Sequence, residues 1–482
     1  VSLSLIAPET AVIGLALLIL LIDLWTPAPA RAKLGYLAIA GLLVILGLSF
    51  VPSVDSAPLF GFSGMFCADG LALFFKRFFL VATIGVLVMA MDFSGQIAMG
   101  IAEFYALSLI ALAGMMFAAG VNDLVLAFVA LELISVTFYV LVSFQRARLP
   151  SLEAGVKYLI LSALSAAFLI FGIALVFGSA GTTNFGELNR LSHELILNKA
   201  FWLGLLLILI GLAYKIAAFP MQIWAPDVYQ GAPTPVTAFL AIGSKAAGFA
   251  LLLRILFIAF PLVAARWNHL LIVTAAITIL YGNLCAIPQR SLKRLMGYSS
   301  ISNAGYLLLG IAAVTKAGSA AVLYYLGGYL ASLAAVFIVI CVVGRESDDI
   351  SEFGGLHQRS PALGACLALA MVSLAGIPPL AGFLGKFLLL RAVVEQGFSN
   401  PAYFWLAGIA IIGVVISLYY YFGVIRAIYW QSAPANAEPL RFSRPMKALL
   451  ALSVAGMIYL GTYPGAFYDL TLSAVQSLGL KS

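Results

Sequence analysis

The stretch GLAYKIAAFPMQIWAPDVYQGAPTPVTAFLAIGSKAAG, residues 211–248, decides how the whole chain is read. Lys215 and Lys245 each lie in a strongly apolar run, and a proline-rich joint separates them. A lysine at the centre of a bilayer is unfavourable by about 2.5–3.5 kcal/mol on insertion scales. Two things must therefore be settled: whether this chain lives in lipid, and what two such lysines do there.

Composition answers the first. The chain has 482 residues, of which 63% are hydrophobic and 9% charged, with a mean hydropathy of +1.09; soluble chains carry about 25% charged residues. Apolar runs long enough to cross a bilayer, about 20 residues each, recur throughout. The pattern predicts an all-α polytopic membrane protein of about fourteen transmembrane helices, the first beginning near Leu5, the fourth near Met99 and the last near Met446. The first run holds Glu9 and ends at Asp23, with no basic segment before it, and reads as a span rather than a cleaved signal peptide.

The net charge of +7 reflects basic loops on one side of a membrane rather than a nucleic-acid surface. Loops after odd-numbered spans carry twelve Lys and Arg residues, and the opposite loops and tail carry five. That asymmetry puts the first set in the cytoplasm and both termini outside. Cys67, Cys285, Cys341 and Cys366 stand singly among only three histidines. Their spacings match no metal, iron–sulfur or disulfide pattern.

Shifted by 167 residues, the chain aligns with itself twice without a gap. ELISVTFY (132–139) falls on SSISNAGY (299–306), and Tyr158, Leu159 and Ser165 fall on Tyr325, Leu326 and Ser332. The offset equals five spans, an odd number, so the second copy is inverted in the membrane. The organisation expected is 1–98 for three N-terminal spans, 99–262 and 263–431 for two inverted five-helix repeats, and 432–482 for a last span. Inverted repeats around broken helices are a transporter architecture, and the prolines supply the breaks. In span 7, Pro220 cannot donate to the carbonyl of Ile216; in span 12, Pro378 and Pro379 free those of Leu374 and Ala375. Unpaired carbonyls at membrane depth persist only where protein or water meets them. A plain packing kink is the ordinary role of a membrane proline, but kinks at equivalent places in two repeats favour a shared function.

Four ionisable groups lie deep in apolar runs: Glu132, Lys215, Lys245 and Lys386. Together they oppose insertion by roughly 10 kcal/mol, so pairing or hydration must offset much of this. Desolvation penalises the charged form of both residue types, and a group so penalised can load and release a proton where an exposed lysine stays charged. One structural ion pair with Glu132 would account for one lysine and leave two unexplained. Hydroxyls and amides able to hold a water chain lie near: Tyr229, Thr237 and Ser244 before Lys245, Ser302 and Asn303 in span 10, and Tyr325 in span 11. Each could instead bond back to its own helix. The remaining charges read as ordinary: Glu9, Asp23, Asp69 and Asp123 near span ends, Lys76 and Arg77 reaching to the interface, and Lys157 pairing with Glu153 one turn away. GFLGKF (382–387) lacks the spacing of a phosphate loop. No nucleophile, redox or hydrolytic arrangement appears.

At this point KIAAFPMQIWAPDVYQGAPTPVTAFL, LKRLMGYSSISNAGYLLLG and GIPPLAGFLGKF can be set together. In this order they resemble the antiporter-like membrane subunits of respiratory complex I, NADH:quinone oxidoreductase, over nearly the whole chain. Lys386 is unlike the branch that carries glutamate there, and the chain stops soon after span 14, without the lateral helix of another branch. The resemblance implies a translocase subunit in the inner (plasma) membrane of a bacterium, partnered by the other membrane subunits and by lipids. It places no redox centre here; FMN, iron–sulfur clusters and quinone are expected on other subunits. It also implies that Glu132 pairs with Lys215, that protons reach Lys215 and Lys245 through the first broken helix, and that they leave through Lys386. Asn303 stands where many relatives have histidine. A multi-component sodium/proton antiporter subunit and a non-translocating scaffold are the competing readings.

Overall fold

The computed structural model describes residues 2–51, 58–97, 100–344, 347–433, 440 and 442–480. The start near Met99 and the charges Arg345, Arg441 and Lys481 lie outside them. Among the described residues, eleven helices are long and apolar enough to cross a membrane. In chain order the principal helices are α1 (Ala7–Asp23), α2 (Leu34–Leu48), α3 (Gly70–Phe93), α4 (Ile101–Ala119), α5 (Leu124–Val142) and α6 (Leu149–Ala180). There follow α7 (Lys199–Ile216), the short α8 (Trp224–Gly231), α9 (Thr234–Ala259), α10 (Ala264–Ala286), α11 (Leu292–Ala312) and α12 (Lys316–Val343). The last are α13 (Pro361–Ala375), α14 (Ala381–Gly397), α15 (Ala402–Trp430), α16 (Arg444–Thr462) and α17 (Gly465–Ala474). One hairpin of three-residue strands, Leu59–Gly61 against Phe66–Ala68, departs from the all-helical expectation.

Local chemistry sets the helix starts. Asp69, Asp123 and Ser291 are N-caps whose side chains accept from Ala72, Val125 and Arg294 amides at 2.8, 2.8 and 3.0 Å. The two proline sites break helices where expected. α7 stops at Ile216, Ala217 takes a left-handed turn (φ +58°), and the chain restarts as α8. α13 stops at Ala375, Gly376 turns at φ +87°, and α14 begins after Pro378 and Pro379.

Without a hydrophobic drive between helices in lipid, close backbone approach through small residues does the packing. α10 meets α11 so tightly that a Cβ added at Gly282 would fall 2.4 Å from the amide nitrogen of Ser302. Gly382, at the start of α14, would put one 1.8 Å from the carbonyl oxygen of Ser373. α8 is wedged between α6 and α11: Gly231 abuts the Pro150 carbonyl and Gly297 abuts Pro226.

Several charges read as ordinary are not. Lys76 does not reach the interface; it is buried and pairs at 2.7 Å with Glu9, also buried. Asp69, besides capping α3, pairs at 2.6 Å with Arg254 on α9. Arg254 is 0% exposed and donates from Nε to the Ala119 carbonyl at 2.5 Å. Lys157 reaches Glu153 at 2.7 Å and also Asp227 at 2.8 Å, which Arg294 holds from its other side. Lys293, one of the twelve basic residues assigned above to the loops after odd-numbered spans, is buried and donates to the Ala232 carbonyl at 2.6 Å.

Candidate functional site

The site assembles around α11. This 21-residue helix carries Lys293, Arg294, Ser299, Ser300, Ser302 and Asn303, and is buried along nearly all its length. Polar groups on a membrane helix must find partners inside the protein, and those of α11 find the lysines.

Lys215 occupies the last turn of α7, where the break at Ala217 opens the bundle. Its Nζ donates to the Ser135 hydroxyl of α5 at 3.3 Å. Glu132 lies one turn before Ser135 and is half-buried. Glu132 and Lys215 lie within electrostatic range of each other without an ion pair of 4.0 Å or shorter, and Ser135 makes the direct contact to the ammonium.

Lys245 follows directly on a π-helical segment, Leu240–Ser244, in the middle of α9. Such bulges re-aim side chains and gather at functional sites. The Lys245 ammonium is 2% exposed and donates to the carbonyl of Ser300 at 2.5 Å and to the Ser300 hydroxyl. The same hydroxyl meets the phenol of Tyr229, from α8, at 3.0 Å. Thr237 does not join this group; it bonds the Tyr229 and Pro233 carbonyls at 3.1 and 3.3 Å. Ser244 is buried in the π segment beside the lysine.

Lys386 answers the second break. Its Nζ donates to the carbonyls of Leu374 at 2.7 Å and Ala375 at 3.4 Å, the two that Pro378 and Pro379 leave unpaired. It also lies 4.8 Å from the ring centroid of Tyr306 on α11, a cation–π contact.

Between Lys245 and Lys386, successive turns of α11 present Ser300, Asn303 and Tyr306. Asn303 accepts from the Tyr325 hydroxyl at 2.5 Å and donates to Ser299 at 3.3 Å, and Ser299 meets Tyr421 at 2.6 Å. Tyr329 stacks on Tyr325, its hydroxyl buried with no hydrogen-bond partner among the described residues. Ser302 packs on Gly282 of α10, and no hydrogen bond between it and a lysine occurs among the described residues. Sequence reasoning passed over Ser135 and Tyr421. Ser135 lies one helical turn from Glu132, which was a usable signal; Tyr421 reaches the site only through tertiary packing. No group of three or more His, Cys, Asp or Glu able to hold a metal occurs among the described residues.

This is a membrane helix bundle with buried lysines at two helix breaks, and residues 121–417 match the family described as NADH:quinone oxidoreductase/Mrp antiporter, TM. The NADH-quinone oxidoreductase subunit N of Desulforamulus reducens is 36% identical over 480 residues, covering 99% of each chain. A chain of respiratory complex I from Thermus thermophilus with bound Aureothin is 31% identical, with a TM-score of 0.79, over 96% of this chain and 98% of that one. A chain of the Mrp complex from Dietzia sp. DQ12-45-1b, 21% identical, shares the fold with a TM-score of 0.84, over 98% of this chain and 97% of that one. The chain belongs to the NADH-quinone oxidoreductase subunit N family.

Proposed function

We propose that this chain moves protons across the membrane as the antiporter-like subunit N of NADH:quinone oxidoreductase, driven by NADH oxidation and quinone reduction on other subunits. The observation that carries this reading is the seating of the three lysines. Each ammonium is buried against protein acceptors, and α11 leads from the Lys245 partner Ser300, through Asn303, to the Lys386 partner Tyr306.

The acceptors favour the charged lysine and desolvation opposes it, so modest changes around each lysine move its proton on or off. At Lys215 the change is the approach or withdrawal of Glu132 past Ser135. At Lys245 the proton leaves toward Ser300 and Tyr229, groups that can each donate and accept. At Lys386 the carbonyls of the broken helix hold the ammonium, and its release opens the exit. The first break admits protons and the second releases them.

We read the fourteen helical passes α1–α7, α9–α12, α13 with α14, α15 and α16 as spans, with residues 99–262 and 263–431 as inverted repeats. With buried Lys293 set aside, the eleven-to-five excess of basic residues supports termini on the periplasmic side of a bacterial inner membrane. The other membrane subunits of the complex and membrane lipids are its partners.

The test is NADH-driven proton uptake by inside-out vesicles carrying Lys215→Ala, with assembly of the complex checked in parallel. Pumping and quinone reduction falling together in an assembled complex support the reading. Unchanged pumping would leave the lysine a structural group, and sodium-dependent transport without the NADH-oxidising arm would favour an antiporter.

A further inference from the structure

A second feature lies away from the lysines. α2, α3, α12, α16 and α17 enclose a cavity of about 890 Å³, within the range of small-molecule sites, roughly 300–1,000 Å³. Its walls are apolar: Leu73, Phe78 and Val81 from α3, Leu330 from α12, Leu460 from α16 and Leu470 from α17. Val81, Leu470 and the bordering Phe50 are exposed, so the cavity opens outward on a membrane-spanning surface.

Two charged side chains line it, Asp69 and Arg77. Asp69 is satisfied by Arg254 at 2.6 Å and by the Ala72 amide at 2.8 Å. Among the described residues Arg77 has hydrogen-bond and ring partners but no carboxylate within 4.0 Å. Its Nη2 and Nε donate to the carbonyl and hydroxyl of Ser49 at 2.6 and 3.2 Å, and its guanidinium lies 4.0 Å from the Phe50 ring centroid. These contacts use two of five N–H donors and hold the cation at the residue that ends α2. A helix that ends at the membrane surface puts its last residues near the lipid phosphates, and a basic side chain held there is placed to meet one. Ser473, Gln476 and Ser477 line the cavity as well.

A guanidinium fixed at the end of α2, with no carboxylate against it among the described residues and an apolar trough beside it, fits one ligand chemistry. We propose that this cavity binds a phospholipid, its phosphate on Arg77 and an acyl chain along α3, α12 and α16. A free anion leaves the trough unfilled, and an apolar helix leaves the arginine uncompensated.

The experiment uses the full-length chain, purified from its own membranes with its co-purifying subunits, and a phosphatidylglycerol with a photoactivatable acyl chain. Label is expected on peptides from α3 and α17, falling at least fivefold in Arg77→Gln. Leu330→Trp, which fills the trough and leaves the arginine in place, is expected to lower it similarly and decides the matter should the first variant not accumulate. Unlabelled phosphatidylglycerol should compete, whereas inorganic phosphate and a phosphate-free glycolipid should not. Equal labelling in the wild type and Leu330→Trp overturns the proposal, as does displacement by inorganic phosphate, or cross-links placing a neighbouring subunit in the cavity.

Discussion

The Nζ of Lys386 donates to the carbonyl of Leu374 at 2.7 Å, supplying from a side chain the hydrogen bond that Pro378 cannot make. The lysine is at once the cation of the site and the partner of a broken helix. Lys386→Met removes both functions. A buried carbonyl left unsatisfied costs about 1–3 kcal/mol, so thermal melting of the complex is expected at lower temperature and pumping is lost. Lys386→Arg separates the two: a guanidinium still donates but does not give up its proton. That variant is expected to melt near the wild type and yet fail to pump. Proton uptake restored by arginine would remove Lys386 from the transfer route.

Ser300 and Ser302 are neighbours on α11 that face different ways. Ser300→Ala leaves Lys245 a backbone carbonyl but takes away the hydroxyl it shares with Tyr229. Pumping is expected to fall roughly tenfold, about 1.4 kcal/mol, just below the range for a hydrogen bond to a charged group. Ser302→Ala, turned toward Gly282, should change it little. Equal effects of the two substitutions on initial rates of pumping would argue against a path through Ser300.

Asp69 and Arg254 are a buried pair joining α3 to the helix that carries Lys245. Breaking such a pair from one side costs about 3–5 kcal/mol, because the other charge stays buried. Asp69→Ala is therefore expected to lower the yield of assembled protein sharply. Arg254→Met with Asp69→Asn removes both charges and keeps a capping side chain, and should recover most of it. Yield and melting temperature of the two variants in parallel provide the check.

Gly382 leaves no room for a side chain, since an added Cβ would lie 1.8 Å from the Ser373 carbonyl oxygen, whereas Gly408 has nothing within 4 Å. Gly382→Ala should displace α14 from α13 and abolish pumping, and Gly408→Ala should be silent. Membrane content and proton uptake of both test this.

Much of this arrangement was legible in the sequence. Buried lysines stand out against lipid-length apolar runs, and the proline rule named Leu374 and Ala375 as the carbonyls left free, the two that Lys386 holds. The same rule at Pro220 pointed to Ile216, but at the first break it is the Tyr214 carbonyl that meets a side chain, the indole of Trp224 at 2.9 Å. The pairs of Glu9 with Lys76 and Asp69 with Arg254 were not legible. Glu9, Lys76 and Asp69 each sit near the end of an apolar run, where hydropathy reads them as wet, and each partner lies far along the chain. Arg254 stands between AAGFALLL and ILFIAF, and no local feature of the sequence names Asp69, 185 residues away, as its partner.

The clasp of Gly282 on Ser302 and of Gly305 on Ile279, 2.9 Å from a would-be Cβ to the amide nitrogen, has a consequence for tempo. α10 and α11 cannot slide past each other, so on the proposed route a proton moving between Lys245 and Lys386 along α11 would be passed by swinging hydroxyls, amide and water. Movements of that kind are quick, whereas shifts of whole helices take microseconds to milliseconds. On that proposal the clock of the cycle would be wound elsewhere, at the two helix breaks or beyond this chain, with α11 as its fixed arbor.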